Sequence, residues 1–340
     1  MKSFIWRSCS ASLVFVLLWL GISCSGEGQT KSEQTAEDSV TLAAEDSDAV
    51  RLALLPTIDC LPYYYAAAHG YFEKMGVSVK ILPYSSQMDC DTAIIGQTGA
   101  LGFTDLVRAA YHKGRKENIT AIASTDGIHA LVASGRLRLK GIKQLKLRTV
   151  ASSRFSSDSY FAQNVFEKAG ISQPDALCPQ INDYYIRASM LDEDQVDAAI
   201  LPEPFVSQAR AGGHNVLQSF PEDVRLGCLA VRQDILKSEG FSEKITSLLK
   251  AYNMAVDSLN AKGEKAALSC RDILEQTLKM PAAVADSLRL PSYRHASAPR
   301  PKDVETAKAF LVRNNGISRN VSLANLVDST YCATATSLKR

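Results

Sequence analysis

Apolar and polar positions change period several times along the chain. Residues 51–55 (Arg51-Leu52-Ala53-Leu54-Leu55) are an apolar run of strand length, and Pro56, which has no N–H to give a sheet, stops it. Thr57-Ile58-Asp59-Cys60 reads as a loop in which Asp59 supplies an acceptor suited to capping. Pro62 falls in a first helical turn, where its missing N–H costs nothing. Tyr64, Ala67, Ala68, Tyr71 and Phe72 lie near one stripe, which predicts a helix over 63–75 that Gly76 ends. A second strand is predicted at 77–82. This strand–loop–helix–strand unit places its first turn at a strand's carboxyl end, where open α/β sheets bind ligands.

The pattern then predicts a polar loop at 84–91, a short helix beginning at 92–95, a turn at 96–99 and a small-residue strand at 100–103 ending on Thr104-Asp105. Either of those two can cap the helix predicted at 106–112. Strand patterns return at 119–124, 129–134, 150–151, 196–201 and 225–231. Helices are predicted at 160–168, stopped by Gly170, and after Pro202-Glu203-Pro204-Phe205. From residue 242 only helical patterns remain, at 242–261, 266–278, 281–288 and 304–314. Strands alternating with helices, then a helical C-terminal tail, predict an α/β fold with mostly parallel sheets. Residues 147–220 read as an inserted second lobe, with 50–146 and 221–340 forming the first.

The first 24 residues predict a signal peptide: Lys2 and Arg7 precede an apolar run at 11–22 that is short for a membrane span, and Ser23 precedes Cys24. Leu20-Gly21-Ile22-Ser23-Cys24 resembles a bacterial lipoprotein signal, with Gly21 where leucine is usual, and implies lipidation of Cys24. Residues 25–49 hold seven acids and one lysine with few apolar side chains, too few to offset ordering entropy, so a disordered tether is expected.

The 340 residues give room for two lobes, and 46% hydrophobic with 22% charged residues is a globular balance. Without Lys2 and Arg7 the 38 basic residues fall to 36 against 36 acids, which argues against a nucleic-acid partner. Beyond Cys9 and Cys24, six cysteines remain in a chain expected to be exported, so disulfides are an open option; neighbourhood favours Cys60 with Cys90, Cys178 with Cys228, and Cys270 with Cys332, against buried free thiols. No CxxC pair or HxxxH spacing is present, so neither a metal nor a cofactor is expected.

Five serines, Ser152, Ser153, Ser156, Ser157 and Ser159, precede the helix at 160–168. Capping needs only one, so the rest are candidates for a ligand cradle of hydroxyls and free N–H groups. With Arg154 the loop suits an oxyanion, whereas several acids facing the same cleft suit an amine; a zwitterion would satisfy both. His69 and His129 are expected to be structural, because the five histidines form no recognisable triad.

Taken together, three patterns resemble the type II periplasmic substrate-binding proteins of ABC importers, in the branch for nitrate, sulfonates, taurine and thiamine-pyrimidine precursors. They are Leu54-Leu55-Pro56 with the helix ending in Gly70-Tyr71-Phe72 and Gly76, Gly96-Gln97-Thr98-Gly99 through Thr104-Asp105, and Ala199-Ile200-Leu201-Pro202-Glu203-Pro204-Phe205. Residues 323–331 also resemble that family's last segment. The resemblance implies two α/β lobes closing by a hinge on a small polar organic ligand, and delivery to an ABC permease. Carried over by position, it implies contacts from Thr57, Asp59, Tyr63, Thr104 and Asp105 in the first lobe. The second lobe would give Ser153, Ser156, Ser157 and Tyr160, with Glu203 at the cleft edge and Asp126 as a further candidate. A monomeric, non-enzymatic receptor is expected, lipid-anchored on the periplasmic face or cell surface of a bacterium. The alternatives are a sensing or partner-binding lipoprotein not coupled to import, and an enzyme on the same fold.

Overall fold

The computed structural model describes residues 48–96, 100–172 and 177–336. The expected signal with Cys24, the tether up to residue 47, and Gln97-Thr98-Gly99 of the expected turn lie outside the described residues.

The strands, in chain order, are β1 (Val50–Leu54), β2 (Val79–Pro83), β3 (Leu101–Asp105), β4 (Ile119–Ser124), β5 (His129–Ala133), β6 (Val150–Ala151), β7 (Ala198–Pro202), β8 (Asn215–Ser219) and β9 (Gly227–Arg232). The helices are α1 (Leu61–Ala68), α2 (Tyr71–Lys74), α3 (Gln87–Ile95), α4 (Leu106–Gly114), α5 (Ser157–Ala169), α6 (Tyr184–Asp192) and α7 (Phe205–Ala211). They continue with α8 (Phe241–Lys262), α9 (Ala266–Ser269), α10 (Ala282–Ala285), α11 (Pro301–Arg313) and α12 (Thr330–Thr336).

Two sheets organise these elements, one ordered β2-β1-β3-β9-β4 and the other β6-β7-β5-β8. The expectation of mostly parallel sheets is corrected. β1 pairs parallel with β2 and β3, and β6 with β7, but β9 is antiparallel to β3 and β4, and β5 to β7 and β8. The reason is topological: β5 enters the second sheet, and β9 returns to the first, straight from the opposite lobe rather than through a helical crossover. The expected lobe boundary at 147 moves for the same reason, since β5 already belongs to the second sheet. The chain crosses between β4 and β5 and again between β8 and β9.

Local chemistry explains most element ends. Pro62 starts α1 as expected, but the helix breaks at Gly70, whose φ of 65° turns the chain before α2. The stretch 84–91, expected as a loop, is mostly α3, because Ser86 accepts a hydrogen bond from the Asp89 N–H and caps it. Asp105 caps α4 in the same way through the Arg108 N–H. α6 and β8 have no counterpart in the sequence reading. In the helical tail, α8 buries Ile245, Leu248, Leu249, Tyr252, Val256 and Leu259 along one stripe and packs on α1 and α12. Each such side chain contributes about 1.5–3 kcal/mol by leaving water.

All six cysteines of the folded part are free thiols, so none of the three expected pairings is present. Burial pushes the Cys60, Cys90 and Cys228 thiols well up, which makes them unreactive core residues.

Candidate functional site

A cavity of about 800 Å³ opens between the two sheets. β1, β3 and β4 deliver their carboxyl ends to it, bringing Thr57, Asp59, Thr104, Asp105, Thr125 and Asp126 to the wall. From the second lobe come His129 at the start of β5 and Ser157 at the start of α5, and the returning crossing adds Arg225.

Asp59 does not cap α1: that N-cap is Cys60, with no side-chain bond. Its carboxylate instead accepts from Thr57 Oγ1 at 2.5 Å and from Thr125 Oγ1 at 3.2 Å. Gly227 makes the second bond possible, since a Cβ there would overlap Thr125 Oγ1. Among the described residues these hydroxyls are the hydrogen-bond donors to Asp59, and no ion pair reaches it. Asp126, by contrast, is already bound to Arg294 through both the guanidinium and the main-chain N–H.

Asp105 is 1% exposed. Its Oδ1 accepts from the Arg108 N–H at 2.9 Å, and its Oδ2 from Gln87 Nε2 at 2.9 Å and from the Ser157 N–H at 2.9 Å. Arg108 and Gln87 belong to the first lobe and Ser157 to the second, so this carboxylate ties the lobes together. Burial pushes its carboxyl above the usual range, while the Ser157 and Arg108 amides, the Arg108 charge and Gln87 pull against that. Thr104, beside it, donates to Asp91 at 2.5 Å, and Asp91 also holds the Arg108 guanidinium and His112.

Behind the second lobe's wall runs a line of buried charge. Arg187, fully buried, donates to Ile181 O, to Ile200 O at 2.6 Å, to Ser153 Oγ at 2.6 Å and to Asp158 Oδ2 at 2.7 Å. Asp158 Oδ1 lies 3.0 Å from His129 Nδ1, which leaves Nε2 on the cavity side near Gly127. Burial alone would lower the His129 pKa, but the bond and charge of Asp158, aided by Asp59, outweigh it and raise the value. Burial would likewise raise Asp158, yet Arg187 and His129 hold its carboxyl below the usual range.

Of the residues expected to contact a ligand, Thr57, Asp59, Thr104, Asp105 and Ser157 stand on the cavity wall. Asp126, the further candidate, also lines it but is held by Arg294, and the remaining five are placed elsewhere. Tyr63 is 1% exposed and packs on Phe103 and Tyr252. Ser153 is spent on Arg187. Ser156 is the N-cap of α5, donating to Ser153 O at 2.6 Å and sharing a capping box with Ser159. Tyr160 packs edge-on against Phe310, and Glu203 takes both the N–H and the hydroxyl of Ser207. Arg154 stacks on Phe155 and lines a separate groove behind α5.

His129, Thr125 and Arg225 were not anticipated. A lone histidine inside a strand pattern carries no local signal, and the Arg187–Asp158–His129 contacts join residues far apart in sequence. Arg225 Nε is buried with no acceptor among the described residues.

Two α/β lobes joined by two crossings around a polar cavity form the generic periplasmic binding protein fold. The chain belongs to the NMT1/THI5-like family, whose profile matches residues 57–266. The alkanesulfonate-binding protein SsuA from Xanthomonas axonopodis pv. citri superposes with a TM-score of 0.70 at 15% identity, covering 83% of this chain and 98% of that one. The periplasmic nitrate-binding protein NrtA from Synechocystis PCC 6803 gives 0.69 at 12%, covering 85% and 88%. The desulfurization enzyme DszB gives 0.60 at 12%, covering 84% and 98%. A search of curated protein sequences finds no match.

Proposed function

We propose that this protein is an exported solute receptor that holds one small polar organic molecule between its lobes and delivers it to an ABC permease. The observation that carries this reading is the 800 Å³ cavity itself, walled by polar groups from both sheets at the crossings. A ligand there replaces water on Thr57, Asp59, Thr104 and Ser157 at once, and so favours the closed arrangement over an open one. Asp59, held by hydroxyls alone, takes a donor or cationic group of the ligand. Arg225, at the returning crossing, lines the same cavity. A monomer tethered through a lipid on Cys24 completes the proposal, the acidic segment up to residue 49 keeping the receptor near its permease.

A thermal-shift panel of amines, zwitterionic amino acids and sulfonates tests the reading. A ligand at about 100 times its Kd adds roughly 2.7 kcal/mol to the unfolding free energy. Asp59→Asn should weaken the responding ligand at least tenfold, about 1.4 kcal/mol. A flat panel, with no member raising the melting temperature, would sink solute binding by these classes.

Catalysis is the second reading, favoured by one observation: a histidine with a raised pKa, held by a buried carboxylate, faces the cavity of a fold that also serves an enzyme. Among the described residues no cysteine or lysine lines that cavity to act as its nucleophile. Turnover of a bound panel member, lost in His129→Gln, would establish it.

A further inference from the structure

We infer that Asp105 is a built-in counter-anion: it occupies the N-terminus of α5 across the lobe interface and thereby closes that position to an oxyanion group of any ligand.

The N-terminus of the 13-residue α5 is where an anion would be expected to settle. Its first N–H groups lack helical partners, and the backbone dipole adds partial positive charge. In this chain the position is taken from within. Ser156 and Ser159 satisfy one another at the cap, and the N–H of Ser157, a residue of the cavity wall, is spent on Asp105 Oδ2 at 2.9 Å. The carboxylate arrives from the other lobe, where it is fixed by the Arg108 N–H and by Gln87 Nε2. Two helix starts, α4 and α5, thus share one buried carboxylate.

Two consequences follow from that placement. The Ser157 N–H has no capacity left for a sulfonate, sulfate or nitrate oxygen. An oxyanion brought beside Asp105 would also meet like charge with little water to screen it. Specificity therefore passes to the other polar groups of the wall, first among them the carboxylate of Asp59. The same contact clasps the lobes together, so an aspartate that sequence comparison would assign to the ligand serves in its place. The proposal uses the receptor reading only in calling this ligand selection.

The test is a calorimetric titration of the full chain with sulfate and with methanesulfonate, in the wild type and in Asp105→Ser. Serine still caps α4, because its hydroxyl reaches the Arg108 N–H, but it is too short to reach α5. Asp105→Ala serves as a second variant that leaves the space fully open, and thermal unfolding confirms that each is folded. The wild type should show no saturable heat with either anion, and the folded variants should gain affinity at least tenfold. In an ¹⁵N-correlated spectrum the Ser157 amide should shift with anion in the variants and stay fixed in the wild type. Wild-type binding of either anion that moves the Ser157 amide, or folded variants that gain nothing, would overturn the proposal. The receptor reading fails separately, since a variant can gain sulfate whether or not the wild type retains a native solute.

Discussion

Each lobe buries an arginine on an aspartate that also touches a histidine: Arg108–Asp91–His112 in the first, Arg187–Asp158–His129 in the second. The second set is the more enclosed. Arg187 has no exposed side-chain surface and four protein acceptors, two of them main-chain carbonyls, whereas 7% of the Arg108 side chain remains open. Their ends differ as well. His112 lies toward the far end of α4, away from the cavity wall, while His129 stands on it. Arg108 reaches Arg154 O in the other lobe at 3.3 Å and, through its own N–H, holds Asp105. One motif thus anchors the cavity wall in the second lobe and braces the contact between lobes in the first. Burying charge costs several kcal/mol per ion and is repaid only by complete pairing, so both sets are vulnerable to the loss of one member.

That comparison orders the expected effects. Arg187→Met leaves Asp158 buried with His129 as its remaining cation, and should cost about 3–5 kcal/mol in urea unfolding. Arg108→Met should cost less, about 1.5–3 kcal/mol, because Asp91 keeps both the Thr104 hydroxyl and His112 as partners. Equal losses in the two variants would mean that the difference in enclosure has no energetic weight. Ser156→Ala removes the α5 cap together with the hydroxyl's bond to Ser153 O, and a loss of about 1–2 kcal/mol is expected in the same assay.

The smallest effect is on pH dependence, and its sign separates His129 from Asp158. The His129 pKa is raised in the fold, so its contribution is complete below the ordinary imidazole value of about 6.5 and is lost as pH rises through the folded value. The Asp158 pKa is lowered, so its contribution is present above about 3.9 and is lost as pH falls through its folded value. The pair therefore contributes fully between those limits. In unfolding midpoints followed against pH, His129→Gln should remove the alkaline decline relative to wild type. An unchanged profile in that variant would show that His129 is not coupled to folding.

Local signals made much of the fold legible. Pro56, Pro62 and Gly76 punctuate the opening unit, Asp105 caps the next helix, and Gly170, at a φ of 73°, ends α5 where expected. Strand direction was not legible, because β5 and β9 run antiparallel on account of where the chain crosses between lobes. Thr57, Asp59, Thr104, Asp105 and Ser157 reach the cavity wall because they follow strand ends or precede a helix, where side chains face a cleft. Tyr63 and Ser153 were misplaced since the same sequence positions serve equally for packing and for holding Arg187. The part played by Asp105 was hidden because its partner, the Ser157 N–H, belongs to the backbone of the other lobe.

Native mass spectrometry of the purified full chain tests the central claim most directly. The receptor account predicts one small organic molecule bound at near-unit stoichiometry in the wild type, released on denaturation and largely missing from Asp59→Asn. A bare chain mass, with no thermal response to amines, zwitterions or sulfonates, would contradict it.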